Sequence, residues 1–180
     1  MTKLLKTLQT IFPQECFTAS LSITEKGRRF SLKSSPSDKA AGIDLRKCEI
    51  WPDKEKRCDG LFVCLPPRSK DFLIVLVELK APNKERAFDQ LSATTRILCH
   101  KSSNRLAPHR ESIVQSFQSC QLRGHEKHVL GIVVTKGSLP KKLREKKQAR
   151  VHEGLRIKSV TTRILATNFS ELARWFKATT

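Results

Sequence analysis

Asp59, Glu78 and Lys80 are the side chains of this sequence whose types and spacing could do chemistry together. Two apolar runs, 61–65 and 72–79, flank a polar loop at 66–71 rich in turn-forming residues. Runs of that length bounded by Pro and Gly read as strands, and the short loop between them reads as an antiparallel hairpin. The second run shows no polar alternation until its end, so it reads as a central strand buried on both faces. Side chains in a strand alternate with period two, which puts Glu78 and Lys80 on one face, about 7 Å apart.

A hairpin symmetric about the midpoint between Arg68 and Ser69 sets Leu61 opposite Leu76, Val63 opposite Ile74 and Asp59 opposite Glu78. A bulge would shift that register. Directly opposed residues share a face, and like charges placed so repel. Two carboxylates there need a counter-ion. Lys80 is one candidate, and a divalent cation is a better one, because hard cations take oxygen ligands from one or two carboxylates and leave other positions to water and phosphate.

Asp59 followed by Glu78-Leu79-Lys80 at the end of an apolar strand resembles the PD-(D/E)xK nuclease superfamily, whose fold is the restriction-endonuclease-like core. The resemblance spans roughly residues 57–98, under a quarter of the chain, and departs from the motif at Cys58, where the pattern has Pro. It implies hydrolysis of phosphodiester bonds dependent on Mg²⁺ or Mn²⁺, with Asp59, Glu78 and the backbone carbonyl of Leu79 as metal ligands. Lys80 would orient or activate the attacking water. Several branches of the superfamily carry a Gln on the next helix, and Ala87-x-x-Gln90-Leu91 resembles that arrangement, with Gln90 at the rim of the site. The superfamily often adds a third carboxylate from its first helix, for which Glu15 is the early candidate.

Charge points the same way. Lys and Arg number 35 against 17 Asp and Glu, a formal net charge of +18, which implies a polyanionic partner, nucleic acid above others. Within the nuclease resemblance the expected partner is DNA rather than RNA. No apolar stretch is long enough to span a bilayer and the N-terminus lacks the apolar core of a signal peptide, so the expectation is a cytoplasmic protein with no membrane partner. The six cysteines form no Cys-x-x-Cys pair, which argues against a zinc ribbon, and they read as buried reduced thiols. No Gly-x-Ser-x-Gly elbow and no Gly-rich phosphate loop occurs.

The elements that would position these residues form one α/β domain over residues 1–180, a mixed central sheet flanked by helices. Leu4, Leu5, Leu8 and Ile11 predict an amphipathic first helix over 2–12. Residues 16–24 and 29–33 predict a hairpin around Glu25-Lys26-Gly27; 34–42 reads as a surface loop and 43–51 as a strand. Asn83 is placed to cap a helix over 84–100 whose Ala87, Leu91, Thr94 and Leu98 share a face. A short helix is expected over 111–122, and 128–135 reads as a second buried strand, parallel to the first because the connection contains helix. Residues 155–166 read as one or two strands, followed by a last helix capped by Asn168 or Ser170. Within the basic stretch 138–150, Lys142, Lys146 and Arg150 recur at helical spacing as an outward, nucleic-acid-binding stripe.

The expected function is therefore a metal-dependent nuclease, with room for a homodimer. The alternatives are an RNA-cleaving toxin and a basic nucleic-acid-binding protein without catalysis; the latter leaves Asp59, Glu78 and Lys80 without a task.

Overall fold

The computed structural model describes residues 12–34, 39–49, 56–65, 73–79, 84–99, 129–135, 150–152, 155–162 and 164–177, with Lys6, Leu8 and Gln9. It is a mixed α/β structure. Among the described residues a six-stranded sheet runs in the order β3-β4-β5-β6-β8-β7: β3 (Lys39–Asp44), β4 (Gly60–Leu65), β5 (Leu73–Glu78), β6 (Val129–Thr135), β7 (Arg150–His152) and β8 (Leu155–Thr161). A smaller sheet, β1-β2-β9, holds β1 (Ser22–Glu25), β2 (Arg28–Lys33) and β9 (Ile164–Asn168). Two helices are described, α1 (Lys84–Cys99) and α2 (Phe169–Lys177).

The central hairpin has the expected register: Leu61 pairs with Leu76 and Val63 with Ile74, ending at Gly60 with Val77. All six residues of β5 are buried, as a strand with both faces covered requires. One face carries Leu61, Val63, Ile74 and Leu76 and packs under α1, which contributes Ala87, Leu91 and Leu98. The other carries Phe62, Val75, Val77 and Ile132 and is covered by Ile23, Phe30 and Leu32 of the small sheet and Leu172 of α2. The sheet is thus a middle layer, and β6 lies parallel to β5 after the helical connection.

Several expectations change. The surface loop expected at 34–42 contains most of β3, and the strand expected at 43–51 gives way to a 3-10 turn at Leu45–Lys47. Ala40, Ala41 and Gly42 look too small for a strand, yet they pair with Cys64, Val63 and Phe62. Their smallness is what the packing needs: a Cβ on Gly42 would meet the Phe62 ring at 2.8 Å and also Thr18 Oγ1. The first hairpin begins at Ser22, after a 3-10 turn at Gln14–Cys16, and is closed by Lys26 (φ 44) and Gly27 (φ 74), a two-residue turn with both φ positive. Cys16 and Cys48 form a disulfide between the two 3-10 turns, against the expectation of thiols throughout; Cys58 and Cys64 are buried free thiols. Residues 155–168 do form two strands, but β9 leaves the main sheet to pair in parallel with β2. Asn168 caps α2, its Oδ1 accepting from the Glu171 N–H at 2.9 Å. Most of the 2–12 helix, the 111–122 helix and Asn83 lie outside the described residues. No described helix is long and apolar enough to cross a membrane.

Candidate functional site

The site is built where β4 begins and β5 ends. Lys56, Arg57 and Cys58 are tied to one side of α1 just before Asp59. Lys56 Nζ meets Asp89 Oδ2 at 3.1 Å, Gln90 Nε2 donates to the Arg57 carbonyl at 2.8 Å, and the Cys58 N–H donates to Thr94 Oγ1 at 2.9 Å. Thr94 in turn donates to the Gln90 carbonyl at 2.8 Å. The chain then bends, and the Asp59 carboxylate reaches across to β5: Oδ2 accepts from the Leu79 N–H at 2.6 Å, a short charge-assisted bond. The Asp59 carbonyl accepts from the Leu45 N–H at 3.0 Å, fixing the bend from the β3 side.

Glu78, the last residue of β5, is fully buried, and continuing the hairpin register by one step sets Asp59 opposite it. Leu79 is buried as well, and its carbonyl accepts from Arg28 Nη1 at 3.1 Å. Asp59, Glu78 and Leu79 are therefore brought together at one end of the hairpin. Lys80 lies outside the described residues.

The first hairpin adds charges that the sequence reading did not assign. Gly60 lets β1 approach, because a Cβ there would meet Ile23 Cδ1. Two residues beyond Ile23, Glu25 comes beside Asp59 and, through Oε2, 3.9 Å from Arg46 Nη1. Arg46 also clamps Asp44 with Nε at 2.8 Å and Nη2 at 2.7 Å. Burial, and then the Glu25 carboxylate, push the Asp59 carboxyl up to about 6, against the opposing pull of the Leu79 N–H and the Arg46 guanidinium. Burial, reinforced by the charge of Glu78, holds the Cys58 thiol far above its usual range, which makes it inert as a nucleophile.

Glu15, the early carboxylate expected from the first helix, is exposed in the 3-10 turn and is not part of this group; Glu25 is the acidic residue that the N-terminal region supplies. Its signal in the sequence was the turn itself, since Lys26-Gly27 sets Glu25 against Arg28. Gln90 is buried rather than at a rim, and its Nε2 braces the Arg57 carbonyl. Arg150 opens strand β7, at the far edge of the sheet from β3, so it is not on a helix as the expected stripe required; Lys142 and Lys146 lie outside the described residues.

Among the described residues no three His, Cys, Asp or Glu side chains are grouped to hold a metal. A hard divalent cation does not require three: one or two carboxylates suffice where water and phosphate complete the shell. Asp59, Glu78 and the Leu79 carbonyl are an all-oxygen donor set of the right chemistry, and a carbonyl has a second lone pair beside the one Arg28 uses. Compared with protein-family models, with curated proteins and with solved structures, the chain gives no match.

Proposed function

We propose that this protein is a divalent-metal-dependent nuclease of the restriction-endonuclease-like type, acting on DNA. One observation carries the reading: the β4–β5 register ends with a buried Asp and a buried Glu across from one another, with the Asp bonded to the backbone one residue beyond the Glu. Two carboxylates buried side by side repel, and a shared cation would relieve both at once. The antiparallel run β3-β4-β5, followed by α1 and the parallel β6, supports the fold assignment.

In this reading Asp59, Glu78 and the Leu79 carbonyl would hold Mg²⁺ or Mn²⁺, which when bound supplies positive charge to the phosphate and a more acidic water. The chain's own work is orientation. The Leu79 N–H fixes the Asp59 carboxylate, and α1, through Gln90 and Thr94, fixes the backbone that carries it. Lys80, next along the chain from this bond, would orient the attacking water. The basic excess would hold the polyanion.

The test is cleavage of plasmid, linear duplex, single-stranded DNA and RNA with Mg²⁺ or Mn²⁺, against an EDTA control. The expected result is cleavage of DNA that needs metal and disappears in Asp59→Asn and Glu78→Gln, with binding retained. Cleavage that both variants preserve moves the chemistry elsewhere. Tight binding with no cleavage of any substrate favours the non-catalytic alternative.

A further inference from the structure

Arg28 is a buried cation that the reading above does not use. It stands first in β2, is 7% exposed, and lies directly across the hairpin from Glu25. Opposed residues of opposite charge at such a turn ordinarily pair. Here they do not: the ion pair of Glu25 is with Arg46, and among the described residues Arg28 makes no ion pair within 4.0 Å. Among the described residues its side-chain hydrogen bond runs from Nη1 to the Leu79 carbonyl, and its Nε is buried without a partner.

The planar guanidinium makes that arrangement directional. With Nη1 held by Leu79, the opposite edge, Nε–H and Nη2–H, is the pair of parallel donors that matches two oxygens of a phosphate or carboxylate. A structural arginine buried this deeply would be expected to have Nε filled, because an unmet charged donor in the interior costs more than a neutral one. The edge is anchored to the residue between Glu78 and Lys80.

We propose that Arg28 is the receptor for a phosphodiester at this site, taking the non-bridging oxygens on its Nε/Nη2 edge while Nη1 stays on Leu79. The substrate class rests on the nuclease reading, but the anion site does not. No bond is made or broken by Arg28; it holds the phosphate by charge and paired hydrogen bonds.

Two measurements test it. The first follows arginine Nε–H resonances of the EDTA-treated wild-type protein by NMR during titration with inorganic phosphate against chloride at matched ionic strength, with the Arg28 signal assigned by its absence in Arg28→Lys. A saturable shift of that signal is expected. The second is single-turnover cleavage of duplex DNA, where Arg28→Gln is expected to be slower by about 10- to 100-fold, as for loss of a charged hydrogen-bond pair, and Arg28→Lys to recover part of the loss. A resonance that phosphate leaves in place, or moves without saturation, overturns the proposal and makes Arg28 a brace for the end of β5. If that happens while cleavage still needs Asp59 and Glu78, the nuclease reading stands alone. A saturable shift with no cleavage of any nucleic acid keeps the anion receptor and removes the nuclease. If Arg28→Gln does not fold, the wild-type resonance decides.

Discussion

Asp44 and Asp59 are neighbours at the end of the large sheet, and each is 4% exposed. Both feel Arg46, but only Asp44 is hydrogen-bonded to it. Asp44 caps the following 3-10 turn by accepting the Arg46 N–H at 3.2 Å, and the Arg46 guanidinium grips both its oxygens. Asp59 receives the Leu79 N–H on one oxygen and has the Glu25 carboxylate beside it. Equal burial thus yields a carboxylate tied up in structure and one held in tension. Burial does not separate the two; the sign and geometry of the nearest charged group do.

The largest expected effect separates them by activity. Asp59→Asn and Glu78→Gln should each lower metal-dependent cleavage by about 10³-fold or more, on the order of several kcal/mol of transition-state stabilisation. Asp44→Asn, which keeps an acceptor for the cap, should leave the cleavage rate within a few fold. If Asp44→Asn were as damaging as Asp59→Asn, the contrast between the two acids would fail.

Stability should separate them in the opposite sense. Asp44→Ala strands the Arg46 fork and removes the cap, and should cost about 2–4 kcal/mol. In denaturant titrations Asp59→Asn should stabilise the metal-free protein instead. The Asp59 carboxyl lies near 6 in the fold, above its ordinary 3.8, so the folded chain holds this proton more tightly than the unfolded one. Its contribution is fully present below about pH 4 and is lost as pH rises through about 6. Wild type and Asp59→Asn should therefore match below pH 4, with the variant ahead by roughly 2–3 kcal/mol above pH 7. A constant gap at all pH values would mean that the carboxylate is not the source.

The brace on α1 should matter less. Thr94→Val removes the acceptor for the Cys58 N–H and should cost about 1–2 kcal/mol. Gln90→Ala removes one bond to the Arg57 carbonyl and should slow cleavage by about tenfold, less than either acid, because a displaced carboxylate still carries its charge. An unchanged rate would make Gln90 a packing residue only.

The smallest effect on chemistry belongs to the basic stretch. Changing Lys142, Lys146 and Arg150 together to Gln should flatten the salt dependence of DNA binding by about two to three units in log–log slope, at roughly 0.9 per phosphate contact, and leave cleavage at saturating DNA nearly unchanged. An unaltered slope would place the binding surface elsewhere, with the lysines reduced to solvated charge.

The sequence by itself determined the hairpin and its surroundings. An uninterrupted apolar β5, a turn-rich loop and a matching apolar β4 read as a hairpin, and symmetry about the loop gives the register that the structure has. The apolar face of α1 and the parallel placement of β6 follow for the same reason: their periodicity and connection lengths are local properties. What only the tertiary structure decided is everything set by contacts distant in sequence. β3 is a strand because small residues let Phe62 and Thr18 close over Gly42, which no propensity reveals. Cys16 reached Cys48 across 32 residues, and β9 crossed to the smaller sheet. In the sequence Glu25 is only part of a turn, and Arg28 lies between that turn and the strand expected from 29. They reach the candidate site when Ile23 and Phe30 dock the hairpin on the large sheet and carry its charged end to Asp59 and Leu79. Hydrophobic patterning is written residue by residue along the chain, whereas the partner of a buried charge is chosen by how the layers stack.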